Sequence, residues 1–303
     1  MISIIVCSAK PRLLEQLGEN IARTIGLPYE IIARDNSRQK KGICQVYNEA
    51  ADFANYPFLC FVHEDVLFET LDWGPLICAG LADPAVGLIG VAGGDTKGLV
   101  PSSWSTCIVS NEINIVQHSR SIAAGSRQVF ASSDNHDRGL KPVVTVDGVL
   151  LFTKKDIFRQ FRFDEDTFPG FHGYDIDYSL QVGQQFRVCV CFDILVHHFS
   201  EGNPDRRWHE SAKALSHKWK KTLPVSVREA TPATWKIHHW HSLKVYINHL
   251  FRLHYNYLFI IGAYLQYSVS PFFSFRRFLS MGKYLLIKII ISVRARAKNE
   301  KPA

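Results

Sequence analysis

Apolar and polar positions alternate between two periods along this chain of 303 residues. Residues 2–7 form a short β-branched run that reads as a buried strand. From Pro11 to Thr24 the apolar residues recur at Leu13, Leu14, Leu17 and Ile21, then Ile25, the spacing of one helix face. Pro11 suits the start of that helix and Gly26 its stop. The pattern then predicts a strand over 29–33, a polar loop over 34–42, a helix over 43–54 and strands over 58–62 and 86–91. Such βαβαβ order predicts an α/β fold with a parallel, doubly wound sheet and ligands at the carboxyl ends of its strands. Ser8, Asp35-Asn36-Ser37 and His63-Glu64-Asp65 all lie at such ends.

Farther on, residues 95–140 are rich in Ser, Asn, Asp and Gly, with one convincing strand at 113–117. They read as a mobile excursion over the site. Residues 143–152 resume a single strand that contains Asp147-Gly148, and 187–196 form an alternating strand that ends at His197-His198. Between them Phe168-Pro169-Gly170-Phe171-His172-Gly173 is a glycine-broken aromatic loop leading into Tyr174-Asp175-Ile176-Asp177. Ile176 and Leu180 then keep helical spacing, so a helix begins near Asp175. A polar helix over about 205–220 closes this part.

Composition adds an asymmetry. Residues 1–220 carry 22 Lys/Arg and 26 Asp/Glu, whereas 221–303 carry 13 Lys/Arg and only Glu229 and Glu300. The net charge of +7 therefore belongs to the tail. A basic stripe over the whole fold would suggest nucleic acid; a basic, aromatic, apolar tail suggests an anionic membrane surface and no nucleic-acid partner. The seven cysteines, 7, 44, 60, 78, 107, 189 and 191, include no C-x-x-C pair, which argues against a zinc ribbon or a thioredoxin-type site. The chain opens on a strand without a basic leader, so secretion through a signal peptide is not expected and a reduced cytoplasm fits.

The first βα turn, Cys7-Ser8-Ala9-Lys10-Pro11, lacks G-x-G-x-x-G, and G-x-x-x-x-G-K-[ST] is absent. A dinucleotide oxidoreductase and a P-loop NTPase are thereby disfavoured. Without a glycine cradle, a diphosphate ligand needs a divalent cation or basic groups against its charge. His63 and Asp65, two apart at a strand end, supply two ligands, and His198 at a later strand end a third. The plainer reading is a solvated polar loop and a structural histidine. Asp175 and Asp177 begin a helix, where unpaired N–H groups stabilise a carboxylate; they are either capping acids or a general base and its neighbour.

Taken together, V-C-S-A-K-P, A-R-D-N-S, G-I-C-Q-V-Y-N-E-A, F-L-C-F-V-H-E-D-V-L-F, G-L-I-G-V-A-G-G, V-D-G-V-L-L-F-T, F-P-G-F-H-G-Y-D-I-D-Y-S-L-Q-V and H-H-F-S-E-G-N-P-D resemble family-2-type glycosyltransferases of the GT-A fold. The resemblance is closest to the bacterial branch named for a streptomycin-biosynthesis protein. It covers residues 1 to about 210, in the family's order. It implies a Rossmann-like, mostly parallel sheet flanked by helices in a catalytic domain over 1–220; the tail over 221–303 lies beyond the resemblance and reads from its own residues as a helical membrane-association region. It also implies that Asp35 reads the nucleotide base with Ser8 beside it, in a nucleotide site that includes Ser37 and Glu64. His63 and Asp65 would hold Mn²⁺ or Mg²⁺ on the donor diphosphate, with His198 as a further ligand. Asp147 and Gly148 would line the sugar and acceptor pocket with Tyr174 and Trp208, and Asp175 would be the general base.

Two departures from the family pattern stand out: His63 replaces the first Asp of D-x-D, and Tyr174 replaces the acidic residue that usually precedes the base. The processive synthases' Q-x-x-R-W is also missing, since Pro204 stands where Gln is required before Arg207-Trp208. The expectation is an inverting transfer of one sugar from a nucleotide-diphosphate sugar to a saccharide or lipid-linked acceptor, in cell-surface glycan synthesis. The rivals are a nucleotidyltransferase acting on a sugar phosphate and a non-catalytic nucleotide-sugar-binding module.

From Leu253 to Phe275 the tail has no Asp, Glu, Lys or Arg, a length that could span a bilayer. His254, Asn256, Gln266 and Pro271 make it a poor hydrocarbon solute, whereas its Tyr and Phe residues suit the interface and Arg276 to Lys298 suit anionic headgroups. Peripheral attachment to the inner face of the cell membrane is expected, the other readings being a true transmembrane helix and a helical cap.

Overall fold

The computed structural model describes every residue except 107, 109–110, 119–126, 132–137, 201, 203 and 300–303, and only the backbone of 127–131 and 295–299. Cys107, the centre of the expected excursion and the side chains of Arg296 and Lys298 lie outside the described residues. The chain forms two compact units, Met1–Lys97 with Ser103–Arg228, and Gly98–Ser102 with Glu229–Ala303.

The first unit begins with β1 (Ile2–Ser8), α1 (Pro11–Thr24), β2 (Tyr29–Asp35), α2 (Ile43–Ala51), β3 (Phe58–His63), β4 (Val66–Phe68) and α3 (Trp73–Ala82). It continues through β5 (Val86–Gly90), β6 (Ala92–Gly94), β7 (Thr96–Lys97), β8 (Asn111–His118), β9 (Arg127–Ala131), β10 (Leu140–Val143), β11 (Thr145–Val146) and β12 (Leu150–Lys154). It closes with α4 (Lys155–Gln160), α5 (Tyr174–Val182), β13 (Arg187–Cys191), β14 (Val196–His198), α6 (Arg206–Lys218) and β15 (Val225–Ser226).

The α/β expectation holds. A seven-stranded sheet runs β10-β13-β5-β12-β3-β1-β2. Within it β2, β1, β3, β5 and β13 point one way, while β12 and β10 are reversed. Strands such as β1, covered on both faces, bury nearly every residue, which explains their unbroken apolar runs. Leu17 and Ile21 of α1 pack into this core with Val6, Val62, Trp73 and Phe152, and the Trp73 indole N–H donates to Thr24 at 3.1 Å.

Three expectations are corrected. Residues 143–152 are not one strand: β11 joins a second sheet, ordered β11-β6-β8-β14-β4, while β12 lies in the large one. The break falls at Asp147-Gly148, where Asp147 Oδ1 accepts from the Val149 N–H at 2.8 Å and turns the chain. Residues 187–196 likewise split between the sheets into β13 and β14, a change that alternation alone does not reveal. The start of the expected excursion is buried: Asp95, Thr96 and Lys97 are fully covered. Their polarity signalled loop, but it is satisfied internally. Asp95 accepts from Thr96 Oγ1 at 2.8 Å, Ile108 N–H at 2.9 Å and Arg228 Nε at 3.1 Å, and β7 pairs with β15.

The second unit holds α7 (Pro232–Arg252), α8 (Tyr257–Ser268) and α9 (Phe275–Asn299). Leu243, Ile247 and Leu250 pack with Ile260, Met281 and Leu285. The uncharged run 253–275 is not one span, because Asn256 caps α8 by accepting from Phe259 N–H at 2.8 Å and α9 starts only at Phe275. Among the described residues no helix is long and apolar enough to cross a membrane.

Candidate active site

Parallel pairing places Ser8 beside Asp35 and Cys7 beside His63, so β2, β1 and β3 deliver three candidate residues to one sheet edge. Asp35 is exposed; its carboxylate accepts from the Ser37 N–H at 2.9 Å, and hydrogen bonds from Ser37 hold its pKa below the ordinary value. Glu64 turns back on the first βα turn. Its Oε2 accepts from Ser8 Oγ at 2.7 Å and from the N–H groups of Ala9 and Lys10 at 3.0 Å each. That oxygen, and the Ser8 hydroxyl proton, are engaged in bracing the entry to α1.

At the mouth of β3, His63, Asp65 and His198 each offer a ligand atom, all within 4.8 Å of one another. Strand β14 brings His198 there by pairing with β4, with His198 opposite Val66. The second ring nitrogen is fixed by a neighbour: His198 Nδ1–H donates to Gln117 Oε1 at 3.1 Å, while the Gln117 amide donates to the backbone oxygens of His198 and Ser200. In the neutral ring this leaves the lone pair on His198 Nε2. It is buried without a hydrogen-bond partner, 3.4 Å from Asp65 Oδ1. An orphaned imidazole nitrogen beside a carboxylate fits a divalent cation. Burial would raise the Asp65 pKa, but His198 and His63 outweigh it and keep the carboxylate ionised. Burial, and then His198, push His63 down to about 4, so its ring is neutral, as a ligand must be.

The aromatic loop sets the other side. Gly42 meets it closely, with Ile43 N–H donating to Gly170 O at 3.0 Å, and Gly173 takes φ +86° to turn the chain into α5. Tyr174 follows, buried, its hydroxyl donating to Gly148 O at 2.9 Å and lying 2.9 Å from His63 Nε2. Any Cβ at position 148 would collide with that hydroxyl, which is why the β11–β12 bend carries glycine. The Gly148 N–H in turn donates to Asp175 Oδ2 at 3.1 Å. Burial and the charge of Asp147 push Asp175 up to about 7, against the N–H groups that hold it. That value suits a proton acceptor near neutrality.

Asp177 belongs elsewhere. It is buried and accepts from Lys218 Nζ at 2.9 Å, Trp219 Nε1 at 2.7 Å and Gln181 Nε2 at 2.7 Å, joining α5 to α6. Trp208 lies in the first turn of α6, its N–H donating to the capping Asp205 at 2.9 Å.

One residue escaped the sequence reading. Lys97 is fully buried at the edge of β7, donates to Ser103 O at 3.2 Å, and is pulled down to about 7 by burial while the charge of Asp175 opposes the shift. A lysine straight after Gly93-Gly94-Asp95-Thr96, beyond a strand's carboxyl end, is the signal that could have found it.

Comparison with known proteins now adds the family. The glycosyltransferase-like family matches residues 3–228. Among solved structures, GalNAc-T7 with UDP, GalNAc and Mn²⁺ aligns at 9% identity and a TM-score of 0.47, over 70% of this chain and 47% of that one. S. aureus TarS 1–349 with UDP aligns at 12% identity and a TM-score of 0.47, over 83% of this chain and 72% of that one. The chain thus spans about half the length of the GalNAc-T7 chain. No curated protein sequence matches it. With the family match running from the first strand to the end of the first unit, the chain belongs to the glycosyltransferase-like family.

Proposed function

We propose that this enzyme moves a single sugar from a nucleotide-diphosphate sugar to a saccharide or lipid-linked acceptor, with inversion and with Mn²⁺ or Mg²⁺ as cofactor. The observation that carries the reading is the short path from His63 through Tyr174 and Gly148 to Asp175, which links a metal-type cluster at the end of β3 to a carboxylate of raised pKa at the start of α5. An inverting transfer needs such a pair on opposite faces of one sugar.

Asp175 Oδ takes the proton from the acceptor hydroxyl as that oxygen attacks the sugar's C1 and the C1–O bond to the diphosphate breaks. Its position beside Asp147, in a partly dry site, keeps it basic enough to do so. Asp65, His198 and His63 would hold the cation, which supplies positive charge to the leaving diphosphate. Asp35, with Ser37, sits at the strand edge where the nucleotide base would lie, and Glu64 orients Ser8 and the first turn. Asp147 contributes charge beside the base and would contact sugar or acceptor, with Tyr174 and Trp208 as walls.

A single transfer, in the manner of the branch named for a streptomycin-biosynthesis protein, rests on the missing Q-x-x-R-W. A cytoplasmic enzyme held at the inner membrane face, acting in surface glycan synthesis, rests on the tail. Helix α9 contains no acidic residue among Arg276, Arg277, Lys283, Lys288 and Arg294, and it exposes Phe275, Leu279, Leu286, Ile290 and Ile291.

The experiment is calorimetry of nucleoside diphosphates with Mn²⁺ and in EDTA. Tighter binding with Mn²⁺ that disappears in Asp65→Ala supports the reading; equal affinity in both removes the metal role.

A further inference from the structure

Two positions at which the sequence departs from the family-2-type pattern it resembles touch each other. His63 stands where an aspartate is usual and Tyr174 where an acid is usual, and their side chains meet at 2.9 Å. A phenol has one proton to give. The Gly148 carbonyl, 2.9 Å away, can only accept, so the Tyr174 hydroxyl gives its proton there. Toward His63 it can then only accept, which requires the proton on His63 Nε2 and leaves the lone pair on Nδ1. The phenol has little freedom to choose otherwise. It is 4% exposed and ringed by Tyr47, Phe163 and Phe171 at centroid distances of 6.0, 5.7 and 6.4 Å.

We propose that Tyr174 is a positioning residue that locks His63 as the Nε2–H tautomer, so that Nδ1 completes a site of two imidazoles and one carboxylate that selects Mn²⁺ over Mg²⁺. This rests on the metal-dependent reading above and goes beyond it. His198 is prepared in the mirror sense, with Nδ1–H given to Gln117 and Nε2 left free. Each histidine thus has one nitrogen satisfied by a neutral partner and the other kept for the cation, the arrangement by which outer partners orient metal ligands. An aspartate at position 63 would make the site harder and more anionic, suited to Mg²⁺; imidazole nitrogens suit the later first-row ions. A tyrosine at position 174 in place of an acid follows from the same logic. A carboxylate there could only accept, and would pair with an imidazolium instead of settling a neutral tautomer.

Two measurements on the full chain, the second repeated with a competing ion, test this. Nitrogen-15 NMR of the metal-free protein reads the His63 tautomer, electron paramagnetic resonance counts free Mn²⁺ during titration with the metal alone, and Mg²⁺ is the competitor. The wild type should show Nε2–H at His63 and should release Mn²⁺ only at Mg²⁺ concentrations about a hundredfold higher or more. Tyr174→Phe keeps the ring and should still fold cooperatively, with a melting temperature lowered by the loss of the hydrogen bond to Gly148 O. It should lose the tautomer preference and bind Mn²⁺ about 10- to 100-fold more weakly, the usual range for an outer partner of a ligand. His63→Asp should bring the Mg²⁺ and Mn²⁺ affinities together. Nδ1–H at His63 in the wild type, or wild-type Mn²⁺ affinity in Tyr174→Phe, overturns the proposal while leaving the metal reading intact. A wild type that binds Mn²⁺ no better than Asp65→Ala overturns both.

Discussion

Asp175 and Asp177 stand two residues apart in the first turn of one helix and face different worlds. Asp175 accepts from backbone N–H groups, Gly148 N–H among them at 3.1 Å, and lies beside the charge of Asp147. Asp177 is 1% exposed, and Lys218, Trp219 and Gln181 all donate to it. Residues i and i+2 of a helix project to opposite sides. One carboxylate is therefore left with basic oxygen facing the strand ends, and the other ties two helices together.

The two should respond to amide substitution in opposite ways. Asp175→Asn should lower kcat by about 10²–10⁴-fold, the range for loss of a general base, with donor affinity nearly unchanged. Asp177→Asn should cost about 2 kcal/mol of stability, as for a buried charge-assisted hydrogen bond, and leave kcat of the folded fraction near wild type. Denaturant melts and single-turnover rates on both variants decide this; a folded Asp177→Asn without transfer would exchange the roles.

The pH dependence follows from Asp175 being pushed up to about 7. As a base it must be ionised, so kcat/KM should rise with pH through a limb near 7 and be lost toward pH 5. Stability should run the other way. A carboxyl whose folded pKa exceeds its unfolded value near 4 favours the folded state at low pH, and that contribution is lost as pH climbs through the folded value. Asp175→Asn should therefore melt higher than wild type at pH 8, with the advantage shrinking toward pH 5. Rate and melting profiles taken on the same protein would show both limbs.

Much of this was legible from the sequence, and the failures share a cause. Helix α1 was readable to the residue because Leu13, Leu17 and Ile21 keep one face and Pro11 marks the start. The start of α5 was readable because Gly173 precedes two acids. What periodicity does not encode is a change of sheet, so 143–152 and 187–196 each read as one strand where the chain crosses between two. Polarity does not encode burial either. Asp95 and Lys97 looked like loop residues, yet their partners, Arg228 and Ser103, make a polar interior affordable. The contact between His63 and Tyr174, separated by 111 residues, follows only from the fold.

Removal of metal ligands should be graded. His198→Ala deletes the orphaned Nε2 and Asp65→Ala the only carboxylate of the trio, so the Mn²⁺-dependent gain in nucleoside diphosphate affinity should fall in both, and further in Asp65→Ala. Glu64→Gln should leave that gain in place, since its Oε2 serves the first turn. Calorimetry with and without EDTA separates these cases.

Charge on α9 should govern membrane attachment without touching chemistry. Replacing Arg276, Arg277, Lys283 and Lys288 by Glu should weaken binding to phosphatidylglycerol vesicles at least tenfold, since each basic residue near an anionic surface contributes about 1 kcal/mol. Wild-type binding should also weaken between 0.1 and 1 M salt, where the screening length falls from about 10 Å to about 3 Å. Circular dichroism confirms folding, and vesicle flotation measures binding. Salt-independent flotation, or no loss in the reversed-charge variant, would replace electrostatic attachment with some other role for the tail.

The most direct test of the account is phosphorus-31 NMR of the purified chain with a pool of nucleotide sugars, a membrane extract as acceptor source, and Mn²⁺. Glycosyl transfer predicts consumption of one nucleotide sugar with release of its free nucleoside diphosphate, no pyrophosphate, and loss of the reaction in EDTA, in Asp65→Ala and in Asp175→Asn. Pyrophosphate release from a nucleoside triphosphate and a sugar phosphate, or nucleoside diphosphate release that persists undiminished in EDTA and in both variants, would contradict it.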